Sequence, residues 1–301
     1  YCRNNHGGVP ENFHNYFVIE FDRPFDFWSA ALDGSLRPGV TETEGDRAQA
    51  VIGFRTKRGQ QVTARVASSF ISPEQAILNL ERETGGRGFE AVRDAGRERW
   101  NTELGRIKVE GGTDDQQRTF YSTLYRTMLF PRMFYETDSS GNIVHYSPYN
   151  GKVLPGRLFT DNGFWDTFRA AMPLITLMYP EMSSQIMEGL VNTFLESGWL
   201  PEWASPGHRN CMIGSNSASL IADAYLKGIR GYDIDTLWKA MVKNTLGHGP
   251  VHSVGRYGAE YYNRLGYVPY DAGINENVAR TLEYAYADWC LWKLAQELGR
   301  P

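Results

Sequence analysis

The sequence predicts an α+β chain of more than one domain, in which a β region comes first and a long series of helices follows. Short apolar runs interrupted by Gly and Pro fill residues 1–71, a pattern typical of strands and turns. From residue 72 onward the apolar side chains recur with the 3.6-residue period of amphipathic helices. The loops between these helices alternate between short and long. This spacing of antiparallel helix pairs fits an α/α toroid, a ring with an inner and an outer layer of helices.

The β region is predicted from its apolar runs. Residues 16–21 form the first run and predict a strand. The runs 51–54 and 62–66 flank a turn-like segment, 56–60, which predicts a hairpin. A sheet of this size needs a second layer to bury its apolar face. We therefore expect partner strands upstream, and we interpret residues 1–71 as part of a larger β domain.

The helical region is predicted to begin at a capping box formed by Ser72 and Gln75, with Pro73 at the first helical position. Residues 72–110 are predicted to be a helical linker, and residues 111–301 the N-terminal part of the toroid. Helices of the toroid region are predicted at 114–130, 161–179, 181–197, 217–227, 233–245 and 276–298. The linker adds a helix that begins at the Ser72 cap and a second, more polar helix at 88–104, which brings the count to roughly seven or eight. A closed ring of six pairs has twelve helices, so the predicted toroid is incomplete.

Composition narrows the classes of partner. The formal charge is −4 and no run of Lys and Arg occurs, which argues against nucleic acid and anionic membranes as main partners. No stretch approaches the roughly 20 apolar residues that span a bilayer. The three cysteines, Cys2, Cys211 and Cys290, are odd in number and widely spaced, so neither a disulfide framework nor a zinc cluster is predicted.

The two ends of the chain suggest an internal piece of a longer protein. The chain starts at Tyr1 with no charged-then-apolar leader, and Pro301 directly follows a predicted helix. We therefore expect further chain on both sides.

The first candidate site is the segment 161–169, in which polar residues precede a Trp-Asp pair at the start of a predicted helix. The Trp165 ring would suit the apolar C–H face of a sugar, and the Asp166 carboxylate would accept hydrogen bonds from its hydroxyls. A structural alternative stays open. In that alternative Asp161 caps the helix and Trp165 packs in the core, while Asp166 pairs with Arg169 or lies in solvent.

The second candidate site is the long loop 198–210, since long loops in compact folds are often functional. Its side chains that are suited to ligand binding are Trp199, Glu202, Trp203, His208 and Arg209. Burial of Glu202 beside two aromatic rings would raise its pKa and allow a general-acid role. The alternative is that the Trp residues plug the toroid and Arg209 neutralises Glu202.

Taken together and in order, these motifs resemble glycoside hydrolase family 92. The resemblance rests on GFWDTFR at 163–169, GWLPEW at 198–203 and IADAYLKG at 221–228. TFYSTLYR at 119–126 and YSPY at 146–149 are also similar to that family. The likeness is densest from about residue 69 to the end of the chain.

The resemblance implies a partial β-sandwich followed by an incomplete (α/α)6 toroid, with the active site between the two parts. Family members are calcium-dependent, exo-acting α-mannosidases that invert the anomeric configuration. An inverting enzyme uses one carboxylic acid to protonate the leaving oxygen and a second carboxylate, roughly 6.5–9.5 Å away, to activate water. Calcium would hold the terminal mannose by its ring hydroxyls.

By resemblance, Asp166 would hydrogen-bond the terminal mannose. The full set predicted to bind substrate is Trp165, Asp166, Trp199, Glu202, Trp203, His208 and Arg209. The family's acid, base and calcium ligands come later in its chain and have no counterpart before Pro301, so no catalytic or metal-binding residue is assigned here. The resemblance gives no support to Glu202 as the acid, and Asn216 stands where many members have His.

The sequence therefore predicts part of an inverting exo-α-mannosidase that releases terminal mannose from mannose-rich glycans and that is inactive as this piece alone. By resemblance, we expect the whole protein to be secreted, periplasmic or at the cell surface. Two alternatives stay open: another (α/α)6-toroid glycosidase of the α-glucosidase or trehalase type, and a non-catalytic glycan-binding protein.

Overall fold

The computed structural model describes residues 13–300, which fall into two compact units. One unit is formed by residues 16–99, and the other by residues 13–15 together with 100–300. Cys2 and the first twelve residues of the predicted β region lie outside the described residues. The predicted boundaries at 71/72 and 110/111 stay a prediction.

The first unit contains five strands in two small antiparallel sheets. The strands are β1 (Tyr16–Phe21), β2 (Phe27–Leu32), β3 (Ser35–Pro38), β4 (Ala48–Gly53) and β5 (Ala64–Ser69). Strand β1 pairs with β5, and β2 lies between β3 and β4. The predicted strand at 16–21 is confirmed with its bounds.

The predicted hairpin between residues 51–54 and 62–66 is wrong, because β4 and β5 belong to different sheets. Apolar cross-strand pairs account for the observed pairing. Ile52 of β4 lies opposite Trp28, and Val66 of β5 lies opposite Ile19. Aromatic and β-branched pairs of this kind stabilise an antiparallel ladder.

Two helices follow the strands, α1 (Pro73–Thr84) and α2 (Phe89–Leu104). Helix α1 begins where the sequence predicts, since the Ser72 hydroxyl accepts a hydrogen bond of 3.1 Å from the Gln75 N–H. Asn79 then donates to the Ser68 carbonyl at 3.0 Å. This bond fastens α1 to the end of β5.

Seven short strands in the second unit were not predicted. They are β6 (Arg132–Met133), β7 (Glu136–Thr137), β8 (Ile143–Tyr146), β9 (Val153–Pro155), β10 (Phe159–Thr160), β11 (Asn162–Gly163) and β12 (Trp203–Ala204). Most are only two residues long, too short for an alternating pattern to register in the sequence. Strands β7, β8 and β9 form one sheet, while β10 pairs with β6 and β11 with β12.

A buried histidine fixes the β8–β9 hairpin to a helix. His145 is fully buried, and its ring nitrogens lie 2.8 Å from the Gly156 carbonyl and 2.8 Å from the Glu196 carboxylate. Burial lowers the pKa of His145, but the hydrogen bonds and negative charge of its partners outweigh burial and leave that pKa raised.

The helices of the second unit largely follow the predicted periodicity. They are α3 (Asp114–Thr127), α4 (Phe164–Thr167), α5 (Ala171–Met178), α6 (Pro180–Ser197), α7 (Ser217–Leu226), α8 (Ile234–Leu246), α9 (Ala259–Leu265) and α10 (Asn277–Leu298). Helix α9 was not predicted. The single helix predicted at 161–179 is wrong, because residues 162–163 form a strand and the helical part breaks between α4 and α5.

The core of the second unit surrounds α7, in which seven of ten residues are buried. Helix α10 packs along α7, and α6 packs against both α5 and α8. Fully buried apolar side chains at these contacts include Ile221, Leu237, Met241 and Leu294. The chain is therefore α+β as predicted, with strands first and helices after. No helix within residues 13–300 combines the length and apolar character needed to cross a bilayer.

A glycine of the second unit permits an aromatic ring to lie against the backbone. A Cβ atom at Gly163 would lie 2.7 Å from Cε3 of the Trp203 ring. That distance is shorter than real Cβ contacts, so the ring covers position 163 only because no side chain is there. The strand pair β11–β12 consequently depends on glycine at this position.

We expect Gly163→Ala to lower the free energy of unfolding by about 1–3 kcal/mol, because the added methyl group overpacks the Trp203 ring. Chemical denaturation of the purified protein measures the change. Gly247→Ala is the matched control, since its backbone is extended and nothing lies within 4 Å of the added Cβ. Equal stability of the two variants would contradict this prediction.

Candidate functional site

The strand pair β11–β12 brings the two candidate segments together. Asn162 lies opposite Ala204, and Gly163 lies opposite Trp203. Just beyond the pair, the Phe164 N–H donates a hydrogen bond of 3.0 Å to the Glu202 carbonyl. Because Phe164 is the first residue of α4, this bond places Trp165 and Asp166 beside the loop that carries Glu202.

Glu202 is buried, and both of its carboxylate oxygens accept hydrogen bonds from Asn216. One oxygen lies 2.8 Å from the Asn216 backbone nitrogen, and the other lies 2.9 Å from its side-chain nitrogen. Burial raises the pKa of Glu202 to about 8, although the bonds from Asn216 act in the opposite direction. The negative charge of Glu283 raises the pKa further. The pKa is raised as the sequence predicts, but the carboxylate is buried against Asn216 and the Trp165 backbone.

Trp165 is held by a carboxylate from the far end of the chain. Its indole N–H donates a hydrogen bond of 2.8 Å to Glu283 of α10. The Arg169 guanidinium lies 5.0 Å from the centre of the Trp165 ring and 3.7 Å from the same Glu283 oxygen. Glu283 was not predicted, since it stands 118 residues from Trp165 in the sequence and no motif surrounds it.

Asp166 is exposed at the first turn of α4. Among residues 13–300 no group donates a hydrogen bond to its carboxylate and no cation pairs with it. Arg169, the partner offered by the structural alternative, lies against Glu283 instead. The Asp166 carboxylate is therefore available to the hydroxyl groups of a ligand.

The two tryptophans of the loop do not face each other across a ligand. The Trp203 ring covers Gly163. The Trp199 ring packs against two backbone glycines, and the Lys243 ammonium lies 4.6 Å from its centre. Both rings are half-buried and make contacts within the protein, so their role in binding a ligand stays a prediction.

His208 and Arg209 also lie close to the strand pair. The backbone of His208 forms an isolated antiparallel β-bridge with Ala204. The centre of the His208 ring lies 4.8 Å from that of Tyr149. Both ring nitrogens of His208 are buried and have no hydrogen-bond partner among residues 13–300, and burial lowers the pKa of His208 to about 4. Arg209 is held by its backbone, through bonds to Trp203 and Ser253. Within the described part of the chain its guanidinium makes no ion pair, so Glu202 is not neutralised by it there.

The match to known families decides the identity. A sequence model of the glycosyl hydrolase family 92 catalytic domain matches residues 75–301, and one of the family's N-terminal domain matches residues 1–69. The chain belongs to glycosyl hydrolase family 92.

Solved structures of family 92 are similar along nearly the whole chain. An inverting mannosidase from Bacteroides thetaiotaomicron is 52% identical, with a TM-score of 0.96 over 99% of this chain and 40% of that one. A family 92 α-mannosidase from the same bacterium is 28% identical, with a TM-score of 0.85 over 97% of this chain and 39% of that one. The latter protein has also been solved in complex with mannoimidazole.

A curated relative comes from the fungus Arthroderma benhamiae, where it is described as an uncharacterized secreted glycosidase. It is 32% identical over 254 residues, which make up 80% of this chain and 28% of the relative. The chain thus spans less than half the length of these relatives.

A calcium site needs several oxygen ligands close together. In residues 13–300 no three His, Cys, Asp or Glu side chains come together in a way that could hold a metal ion. The carboxylates of Glu202 and Glu283 are taken up by Asn216 and Trp165. The described residues therefore do not fit a calcium site, and the calcium expected for the family stays a prediction.

A cavity of about 240 Å³ lies beside Arg169, between α5, α6, α7 and α10. Its lining mixes apolar side chains with polar ones, among them Asp223 and Tyr286. None of the residues predicted to bind substrate lines it, so this cavity and the cluster around Trp165 are separate features of the family 92 chain.

The raised pKa of Glu202 predicts how stability depends on pH. Between about pH 5 and 8 the folded protein keeps a proton that the unfolded chain releases, so the free energy of unfolding falls as pH rises. Glutamine cannot titrate. We therefore expect Glu202→Gln to lose less stability than the parent protein between pH 5 and pH 8.

Chemical denaturation at the two pH values measures this difference. Contributions from His145 and His208 are common to both proteins and cancel in the comparison. Asp115→Asn controls for loss of a carboxylate, because Asp115 is exposed on α3. An unchanged pH dependence in Glu202→Gln would show that Glu202 titrates normally.

Proposed function

We propose that the complete gene product carrying this chain is an inverting exo-α-mannosidase that releases terminal mannose from mannose-rich glycans. One observation carries the proposal: the chain aligns over 99% of its length, at 52% identity, with a solved protein described as an inverting mannosidase. The mannoimidazole complex of a second relative further supports a mannose-shaped ligand.

In this proposal the chain supplies sugar-binding groups. The exposed Asp166 carboxylate accepts hydrogen bonds from the hydroxyls of the terminal mannose, and such charge-assisted bonds are stronger than neutral ones. The neighbouring Trp165 ring offers an apolar surface to the C–H face of the sugar. The inverting reaction needs an acid and a base on opposite sides of the bond, and neither role is assigned to a residue of this chain.

Calcium is part of the proposal for the whole protein only. A bound calcium ion would engage hydroxyl oxygens of the sugar. Since the described residues do not fit a calcium site, its ligands are expected outside this chain, and no step is derived through the ion.

The finer architecture and the location are also proposals. We propose that the strands of residues 16–69 belong to a partial β-sandwich and that the helices belong to an incomplete (α/α)6 toroid. An exposed apolar face of α10, which includes Val278, Leu282 and Trp289, supports packing by further helices. The secreted relative supports a secreted, periplasmic or cell-surface protein.

The proposal predicts that the complete gene product hydrolyses an aryl α-mannoside and that proton NMR detects β-mannose as the first product. Inversion at the anomeric carbon requires that product. A chelator is expected to abolish turnover and added calcium to restore it. Preference for an α-glucoside over the mannoside would favour the other toroid glycosidases. Sugar binding without turnover of any glycoside would favour a glycan-binding protein.

Asp166→Ala in the complete gene product is expected to lower kcat/KM for the mannoside by roughly ten- to a hundredfold. Loss of a charge-assisted hydrogen bond to the transition state costs about 1.5–3 kcal/mol. Asp115→Ala is the matched control, since that carboxylate is equally exposed but lies on α3. If kcat/KM of Asp166→Ala stays within threefold of the parent, Asp166 does not bind the sugar.

A further inference from the structure

We propose that Glu202 is a positioning residue, which clamps the start of α4 to the start of α7 and thereby sets the contact between Trp165 and Glu283. Its consequence for catalysis rests on the proposed function, because Trp165 and Asp166 are the groups offered there to the sugar. All of the contacts involved lie within the second unit.

The first half of the clamp is the main chain of Glu202. Its carbonyl accepts a hydrogen bond from the Phe164 N–H at 3.0 Å. The first N–H groups of a helix have no partner within the helix, so a bond of this kind fixes where the helix begins. Trp165 is the next residue, and its position follows from that anchor.

The second half is the side chain of Glu202. Its oxygens accept from the Asn216 backbone N–H and from the Asn216 side-chain amide, at 2.8 Å and 2.9 Å. Asn216 is only 1% exposed and directly precedes α7, the most buried helix of the core. The same amide also donates to the Ile213 carbonyl at 3.2 Å. Both amide protons of Asn216 are therefore engaged, which leaves the side chain a single orientation.

The clamp also reaches Glu283. A Cβ atom at Gly214 would lie 2.5 Å from the Asn216 amide nitrogen and 3.4 Å from Cβ of Glu283. The turn before α7 therefore lies close to both Asn216 and α10. Since Trp165 is anchored to Glu202 on one side and Glu283 lies beside this turn on the other, we infer that the clamp sets the 2.8 Å bond between the indole and Glu283.

Substitution of Glu202 by glutamine breaks one half of this arrangement selectively. A carboxyl oxygen accepts a hydrogen bond in either protonation state, whereas the amide NH₂ of glutamine cannot accept one. One Asn216 donor therefore loses its acceptor in a buried place. The exchanged pair, Glu202→Gln with Asn216→Asp, again opposes a donor and an acceptor between the two side chains and keeps the same total charge. In its protonated form the carboxyl group at position 216 also keeps a donor for the Ile213 carbonyl.

The direct test follows the Trp165 ring in the complete gene product. The protein is labelled with 5-fluorotryptophan, and its Trp165 fluorine resonance is assigned by Trp165→Phe. We expect Glu202→Gln to shift this resonance and the exchanged pair to move it back toward the parent position. Glu188→Gln is the control, because Glu188 pairs with Arg157 away from the clamp, and its Trp165 resonance is expected to stay in place.

The kinetic test uses the same variants with an aryl α-mannoside. We expect Glu202→Gln to lower kcat/KM at least tenfold and the exchanged pair to recover at least threefold of that loss, while Glu188→Gln stays within twofold of the parent. Recovery by the exchanged pair separates positioning from general loss of stability, since two unrelated destabilising changes would add.

An unshifted Trp165 resonance in Glu202→Gln, or a shift that the exchanged pair does not reduce, overturns the proposal. If Glu202→Gln does not fold, Asn216→Ala replaces it, because this substitution keeps the backbone donor and removes the side-chain amide donor. Should the parent protein hydrolyse no mannoside, the proposed function fails, but the fluorine resonance still decides whether Glu202 positions Trp165.

Discussion

The bond between the Phe164 N–H and the Glu202 carbonyl is the constraint on which the arrangement of the candidate site depends. It continues a strand pair of only two residues on each side, and it joins segments that lie about forty residues apart in the chain. Without this pairing the start of α4 and the loop after α6 would have no common frame. The pairing holds three groups close together: the exposed carboxylate of Asp166, the half-buried indole of Trp165 and the buried side chain of Glu202.

Desolvation decides the chemistry of the acids in this frame. Hydrogen bonds from Asn216 and from the Trp165 backbone favour the carboxylate of Glu202, yet burial prevails and leaves its pKa at about 8. Asp166 follows Phe164, the residue bonded to Glu202, within the first turn of α4 and is exposed. The two acids therefore differ in role because they differ in burial. Glu202 holds protein groups in place, whereas Asp166 is open to a ligand.

Much of the fold could be predicted from the sequence, because long helices and apolar strands leave a periodic signal. The bounds of β1, α2 and α6 follow from such patterns. Pairing partners could not be predicted, since Ile52 and Val66 would suit a local hairpin as well as the strands they join. The two-residue strands and the break after α4 arise from tertiary contacts, which no window of sequence contains.

The candidate site could likewise be predicted only in part. Motifs at 163–169 and 198–203 identified the two segments, and the aromatic surroundings indicated a raised pKa for Glu202. Glu283 could not be found, because a single acid on a long helix has many structural explanations. The packing of Trp199 against Gly249 and Gly255 could not be predicted either, since contacts between a ring and a backbone produce no periodic pattern in the sequence.

The contact of Gly163 with the Trp203 ring carries a consequence for the history of the family. The two positions share one small volume, so neither can change freely while the other is kept. Homologues that hold a large ring at the second position should retain glycine at the first. Homologues with a smaller residue at the second position should tolerate alanine or serine at the first, so an alignment would show the two columns drifting together.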